Sequence, residues 1–454
     1  MNTHTLKAGT AKIDITPPLG TIINGDHIMH YARYIHDPLF AKAMVLHNGK
    51  STIAIMVVDI CAMDQHFLDQ VKQEIQDKTS IPATHILISS THTHAAGSIM
   101  SLLMSPADLP YRQQLLPLLV EAVVQAHKHL QNARIAFGAV DIPEHLTCRR
   151  YQMQESYTPQ NPLNDQPDLV KTNPFGLEHL IVKPTTQTDP QLSYLAVQSH
   201  EGKWLGLLAN YSLHYVGDWE NGTITADYFG RFAHYLQAEI SADNSFVGIM
   251  SNGTSGEVNI WDFQNSDRYP HEHFAKSELI GSQIAKKVAQ SLQHISWQYE
   301  AELSALYSKV QVKRRKPDEE ELASARSLIG PADLENVIAD ENGLKTIYAR
   351  EQILLNELPD THDFPLQALR IGDGIIGALG GEFFSETGLK LKKEAGIEHY
   401  FTITLANDYV GYVPPAHELE KGGYECWRCR TSCLAHETEN LLSEQLLQLI
   451  HTLK

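Results

Sequence analysis

Thr52-Ile53-Ala54-Ile55-Met56-Val57-Val58, then the helical pattern from Gln65 to Gln76, then His85-Ile86-Leu87-Ile88: this stretch decides the fold class. A short apolar run rich in β-branched residues reads as a strand, and apolar residues spaced three and four apart read as a helix. The alternation continues outward. Strand-like runs recur at Ala43-Met44-Val45-Leu46, Ala133 to Phe137, Leu192 to Val197 and Trp204 to Leu208, and Ala11 to Pro18 reads as a first strand and turn. Helical patterns cover Tyr111 to Leu130, Tyr228 to Ile240 and His271 to Gln293. The predicted fold is α/β, a large mixed β-sheet core flanked by helices.

The chain has 454 residues, without internal repeats and without a second shift in composition that would mark a boundary. One domain over residues 1–454 is the simplest expectation. Charged amphipathic helices at Asp318 to Leu328 and Leu344 to Leu358 read as a helical insertion near 315–358. Gln152 to Pro174, with four prolines, is too long for an ordinary connection and is expected to be functional, as a lid.

With 54 acidic and 36 basic residues the formal charge is -18, so no basic stripe is available to neutralise a phosphate backbone and nucleic acid is not an expected partner. No apolar run reaches the roughly 20 residues of a membrane span. Met1 to Gly20 lacks the charged-then-apolar pattern of a secretory signal, which makes the cytoplasm the expected compartment. The oligomeric state is not legible. Five cysteines imply no disulfide framework, although Cys426, Cys429 and Cys433 with His436 have the donor types of a structural zinc site; reduced thiols are the preferred reading.

Chemistry concentrates elsewhere. His92-Thr93-His94 follows the strand that begins at His85, and in extended backbone that spacing puts both imidazoles on one face. There they can share a metal or divide into one ligand and one acid/base. His214, after the apolar run Leu205 to Ala209, reads on its own as a hydrogen-bonded core histidine. Glu382, directly after the apolar run Gly374 to Leu379, is a carboxylate at the mouth of a buried strand, which is costly unless paired or metal-bound.

An ordered set of segments now carries a resemblance. It consists of Ala8 to Pro18, His36-Asp37-Pro38-Leu39-Phe40-Ala41, the strand ending at Asp59, His92-Thr93-His94, Asn252-Gly253 to Gly256-Glu257-Val258-Asn259, Gly381-Glu382-Phe383 and Asn407 to Val413. Together they resemble the catalytic domain of the neutral, non-lysosomal ceramidases. The resemblance implies a zinc-dependent amidohydrolase of lipid and sphingolipid chemistry, with Zn2+ held by His92, His214, Glu382 and Tyr412. Tyr409 is the lesser candidate for the tyrosine ligand. It further implies that His94 stabilises the oxyanion or shuttles a proton and that Arg149 lies near the reacting carbonyl. For Arg150 a surface salt bridge stands level with a role at the site, and Asp14, Asp59 and Asp227 are expected as partners that orient the histidines.

Two departures separate this sequence from the family. Ceramidases continue into an immunoglobulin-like C-terminal domain, whereas this sequence closes with one helix, Glu437 to Leu453. Where the family carries a serine important for activity this chain has Asn259, which hydrogen-bonds but is no nucleophile. The expected substrate is therefore a small-molecule or lipid-like acylated compound, cleaved at an N-acyl bond. The alternatives are a zinc esterase or deacylase acting on a small polar O-acyl compound such as an acylated sugar, and a metal-retaining binding protein without turnover. Phe383, Trp219 and Trp261 are the bulky residues expected near the pocket.

Overall fold

Strand Thr52–Val58 is buried on both faces, and its side chains divide by the period of two that a strand imposes. Ala54, Met56 and Val58 pack beneath helices, while Ile53, Ile55 and Val57 pack against a second sheet. That double burial is why the run is continuously apolar, and each such side chain contributes roughly 1.5–3 kcal/mol.

The structure is a computed structural model that describes residues 5–454 other than 24, 165, 331 and 335. Of the Met1 to Gly20 stretch, residues 1–4 therefore lie outside the described residues, as does residue 165 of the long loop. The main sheet contains β1 (Lys7–Asp14), β2 (Phe40–His47), β3 (Thr52–Val58), β4 (Ile86–Ser90), β5 (Gln131–Asp141), β6 (Gln191–Ser199), β7 (Trp204–Tyr211) and β8 (Val247–Asn252). Their order is β8-β7-β6-β5-β1-β2-β3-β4. Only β3–β4 and β7–β8 are parallel pairs. Each needs a crossover, supplied by α1 (Gln65–Thr79) and α3 (Asp227–Glu239). Helices α2 (Leu109–Lys128) and α4 (Ala275–Ser291) complete the helical layer.

The second sheet runs β9 (Leu303–Lys313), β10 (Thr361–Ile371), β11 (Gly374–Leu379) and β12 (His399–Ile403), with β11 and β12 parallel. Its inner face meets the main sheet. Its outer face is covered by α7 (Ser385–Ala395) and the C-terminal helix Thr438–Leu453. The charged helices α5 (Glu319–Ile329) and α6 (Glu341–Glu357) sit between the paired strands β9 and β10. Among the described residues no helix is long and apolar enough to cross a membrane.

In a flat sheet the two parallel pairs would point in opposite senses. A twist of roughly 20–25° per strand accumulates to on the order of 150° over this sheet. The edge strands β4 and β8 come into contact, and Asn252 Nδ2 donates to the Thr91 carbonyl at 2.5 Å. The carboxyl ends of the parallel strands thus meet at one place, the position at which α/β sheets bind ligands.

Candidate metal centre

Beyond Ser90 the chain leaves the sheet. Thr91 N and His92 N donate to the carbonyls of Val58 and Ile60, both at 2.9 Å, and His92 takes a left-handed φ of 67°. The expectation of extended backbone is therefore corrected: a turn, costing about 1–3 kcal/mol of strain, brings the two imidazoles together. The His92 and His94 Nε2 atoms are 3.3 Å apart. Gly25, at φ 127°, seats the preceding loop on His94; a Cβ there would lie 2.3 Å from the His94 ring.

His92 Nδ1 lies 2.8 Å from the Cys61 carbonyl and His214 Nδ1 3.1 Å from the Ser255 carbonyl. Carbonyls only accept, so both Nδ1 atoms carry the proton and both Nε2 atoms present a lone pair. Asp14, Asp59 and Asp227 do not fill that role. Asp59 accepts from Lys42 and Phe40 N, Asp14 from Thr16, and Asp227 from the backbone of Val216 and Gly217.

Glu382 arrives from the second sheet. Gly380 and Gly381 let β11 pass close to Asp408 and Gly411, and Glu382–Phe383 then pairs in parallel with Tyr412–Val413. Glu382 Oε2 stands 3.4 Å from His92 Nε2 and 3.6 Å from His214 Nε2. A tetrahedral zinc with bonds of 2.0–2.2 Å separates its ligand atoms by roughly 3.3–3.6 Å, so the donor set fits the ion. His214 Nε2 and Glu382 Oε2 are buried without any hydrogen-bond partner among the described residues.

Burial, followed by the neighbouring Arg149 and His92, pushes His214 well below the ordinary imidazole value. Burial opposes ionisation of Glu382, but His92, the Tyr409 hydroxyl and Arg149 together outweigh it and hold the carboxyl below its usual range. At His92 burial is likewise outweighed by Glu382 and Cys61 together, which favour the imidazolium, so a proton and a cation compete for one place.

The tyrosines divide their contacts. Tyr409 donates to Glu382 Oε1 at 2.7 Å, whereas the Tyr412 oxygen accepts from Arg149 Nη2 at 2.9 Å. Arg149 is fixed further by Glu425 Oε1 at 2.6 Å and the Gly256 carbonyl at 2.7 Å, and its Nη1 has no hydrogen-bond partner among the described residues. Arg150 is no surface residue: it is wholly buried between Glu418 and Glu425. Asn259 stays at the margin, its amide bonded to Asn173 Oδ1 and Trp261 N. Among the described residues the donors of Cys426, Cys429, Cys433 and His436 form no metal-sized cluster, and the three thiols are free and buried.

A cavity of about 280 Å³ opens beside the triad, walled by His94, Arg149, His214 and Tyr412 together with His27, Tyr215, Trp261 and Tyr424. Thr172 and Asn173 of the long loop join that wall. Phe383 lies in the core instead, and Trp219 stands behind Tyr215. A larger open groove of about 620 Å³, beside Lys12 and His129, contains none of these residues. His27, Tyr215, Tyr424 and Glu425 escaped the sequence reading, because nothing in their spacing marks them.

Residues 6–264 match the family described as neutral/alkaline non-lysosomal ceramidase, N-terminal. Neutral ceramidases of Drosophila melanogaster and Drosophila pseudoobscura pseudoobscura are each 25% identical over 271 residues, 56% of this chain and 36% of theirs. The chain thus spans about a third of the length of these curated relatives. The fold is similar to that of neutral ceramidase from Pseudomonas aeruginosa, with a TM-score of 0.73 at 17% identity over 99% of this chain and 74% of that one. A ceramidase complexed with C2 gives 0.73 at 16% identity over 99% and 75%. The family match covers more than half of the sequence, and the chain belongs to the neutral/alkaline non-lysosomal ceramidase family.

Proposed function

We propose that this protein is a zinc-dependent hydrolase that cleaves an N-acyl bond with an activated water. The observation that carries the reading is the convergence of His92 Nε2, His214 Nε2 and Glu382 Oε2, two of them buried and unpaired. With Tyr412 as the fourth donor these side chains would hold the ion. Zinc so bound lowers the pKa of water towards roughly 7 and polarises a carbonyl.

The protein's own groups supply the rest. Burial, then His92 and Arg149, hold His94 well below the ordinary imidazole value, so its ring is neutral. From beside His92 it takes a proton from the attacking water and passes it to the departing nitrogen. Arg149, anchored on Glu425, keeps Nη1 to donate to the developing oxyanion. One water is consumed: a C–O bond forms, the C–N bond breaks, both water protons end on the departing nitrogen, and the products are a carboxylate and an ammonium ion.

Metal analysis is expected to find about one zinc per chain, and chelation to abolish amide hydrolysis until zinc is restored. Undiminished hydrolysis by a folded, metal-free chain would overturn the reading. The polar side chains of the cavity wall, His27, His94, Arg149 and Tyr424, support a second reading, an esterase acting on a small polar O-acyl compound. Cleavage of O-acyl but not N-acyl substrates would select it. Full zinc occupancy without turnover would select a binding protein.

A further inference from the structure

The cavity carries a hydrogen-bonding group, on His27, that no described residue satisfies. Among the described residues His27 Nε2 is buried without a partner, and the phenols of Tyr215 and Tyr424 line the same cavity. These groups sit in an aromatic frame. Tyr215 stacks on His94 at 3.8 Å, Tyr424 lies 5.4 Å from His27, and Phe175 meets Trp261 edge-on at 4.8 Å.

A saturated alkyl chain would bury against the rings but leave His27 Nε2 dry, which is unfavourable for a buried polar group. The cavity, about 280 Å³ and open to solvent, is close to the roughly 300–1,000 Å³ typical of small-molecule sites. A pyranose has the complementary shape. Its C–H faces are apolar and stack on aromatic rings, while its rim of hydroxyls both donates and accepts.

We propose that the amine released by this site is an amino sugar. Its ring lies between Tyr215 and Tyr424, its hydroxyls bond to His27 and the two phenols, and its acylated nitrogen faces His94. Turnover of such a substrate rests on the hydrolase reading; recognition of the ring does not.

The test uses the zinc-loaded chain with three probes: N-butanoylglucosamine, N-butanoylsphingosine and butanoyl anilide. Calorimetry is expected to show the sugar amide binding, and kcat/KM for it to exceed that for the sphingosine amide by at least tenfold. His27→Phe should lower the ratio of kcat/KM for the sugar amide to that for the anilide by about tenfold, one buried hydrogen bond. Tyr424→Phe, which removes a single oxygen and no packing volume, should lower it in the same direction. Preference for the sphingosine amide, an unchanged ratio in both variants, or failure of the sugar amide to bind would overturn the proposal. Binding that weakens in both variants without cleavage would uphold it and overturn the hydrolase reading instead.

Discussion

Two buried clusters of ionisable side chains lie side by side, joined through Arg149 and Tyr412, and they differ in how completely they are paired. Around Arg150 every charge is answered: Nη2 bonds Glu418 at 3.1 Å, Nη1 bonds Glu425 at 2.8 Å, and Glu425 also takes Arg149 Nε at 2.6 Å and Thr172 Oγ1 at 2.8 Å. Around Glu382 two buried atoms, His214 Nε2 and Glu382 Oε2, have no hydrogen-bond partner among the described residues. Buried polar groups are hydrogen-bonded in the great majority of cases, so an unpaired set aimed at one point marks a place for something else. The first cluster is closed on itself; the second brings together the three donors on which the zinc proposal rests.

The largest effect should come from Glu382→Gln, which removes the charge that unites the triad while keeping its shape. Bound zinc and hydrolysis should both fall to background, read by metal analysis and by assay, with the fold intact by circular dichroism. A variant that keeps stoichiometric zinc would show that Glu382 is no ligand. His94→Ala should keep zinc and lower kcat by about 10²–10⁴. Loss of zinc there too would mean that His94, 3.3 Å from His92, also binds the ion.

The satisfied cluster should respond in stability. Glu425→Leu leaves two buried guanidinium groups short of a partner and should destabilise the fold by about 3–5 kcal/mol, measured by denaturant titration. A cost under 1 kcal/mol would mean that water reaches the site. Tyr412→Phe tests the bridge between the clusters. Loss of its oxygen should weaken zinc binding by roughly 10–100-fold without unfolding. An unaltered affinity would move the fourth ligand to Tyr409.

What was legible in the sequence follows the same division between local and tertiary causes. The run Thr52 to Val58 falls on β3 residue for residue, because a strand buried on both faces must be apolar throughout. Strand β9 was not read. Its Ser304, Ser308, Lys309 and Gln311 interrupt the apolar pattern, and its partner β10 lies beyond two helices. His92 and Glu382 stood out by spacing and position, whereas His214 and Tyr412 were legible as ligands only through the resemblance. Their meeting depends on the twist of the main sheet and on the left-handed turn at His92, neither of which is written in spacing. Arg150, Glu418 and Glu425 look in the sequence like solvated charges, and only packing buries them.

Glu257 is an intermediate case, and it yields the smallest expected effect. Its carboxylate is buried and hydrogen-bonded by Ser385 N at 3.0 Å and Thr186 Oγ1 at 3.2 Å, yet faces no paired cation. Burial outweighs those bonds and pushes its pKa up to about 7, from 4.5. Between those values the folded chain holds a proton that the unfolded chain releases. Stability should therefore fall as pH rises through that window, by at most about 1.4 kcal/mol per pH unit from this group, and level off above it. Glu257→Gln keeps the acceptor for Ser385 N and cannot ionise, so it should remove that slope. Parallel stability curves for the two proteins between pH 5 and 7, by about unit steps, would mean that the hydrogen bonds already offset the burial. Glu257 would then belong with the satisfied cluster around Arg150.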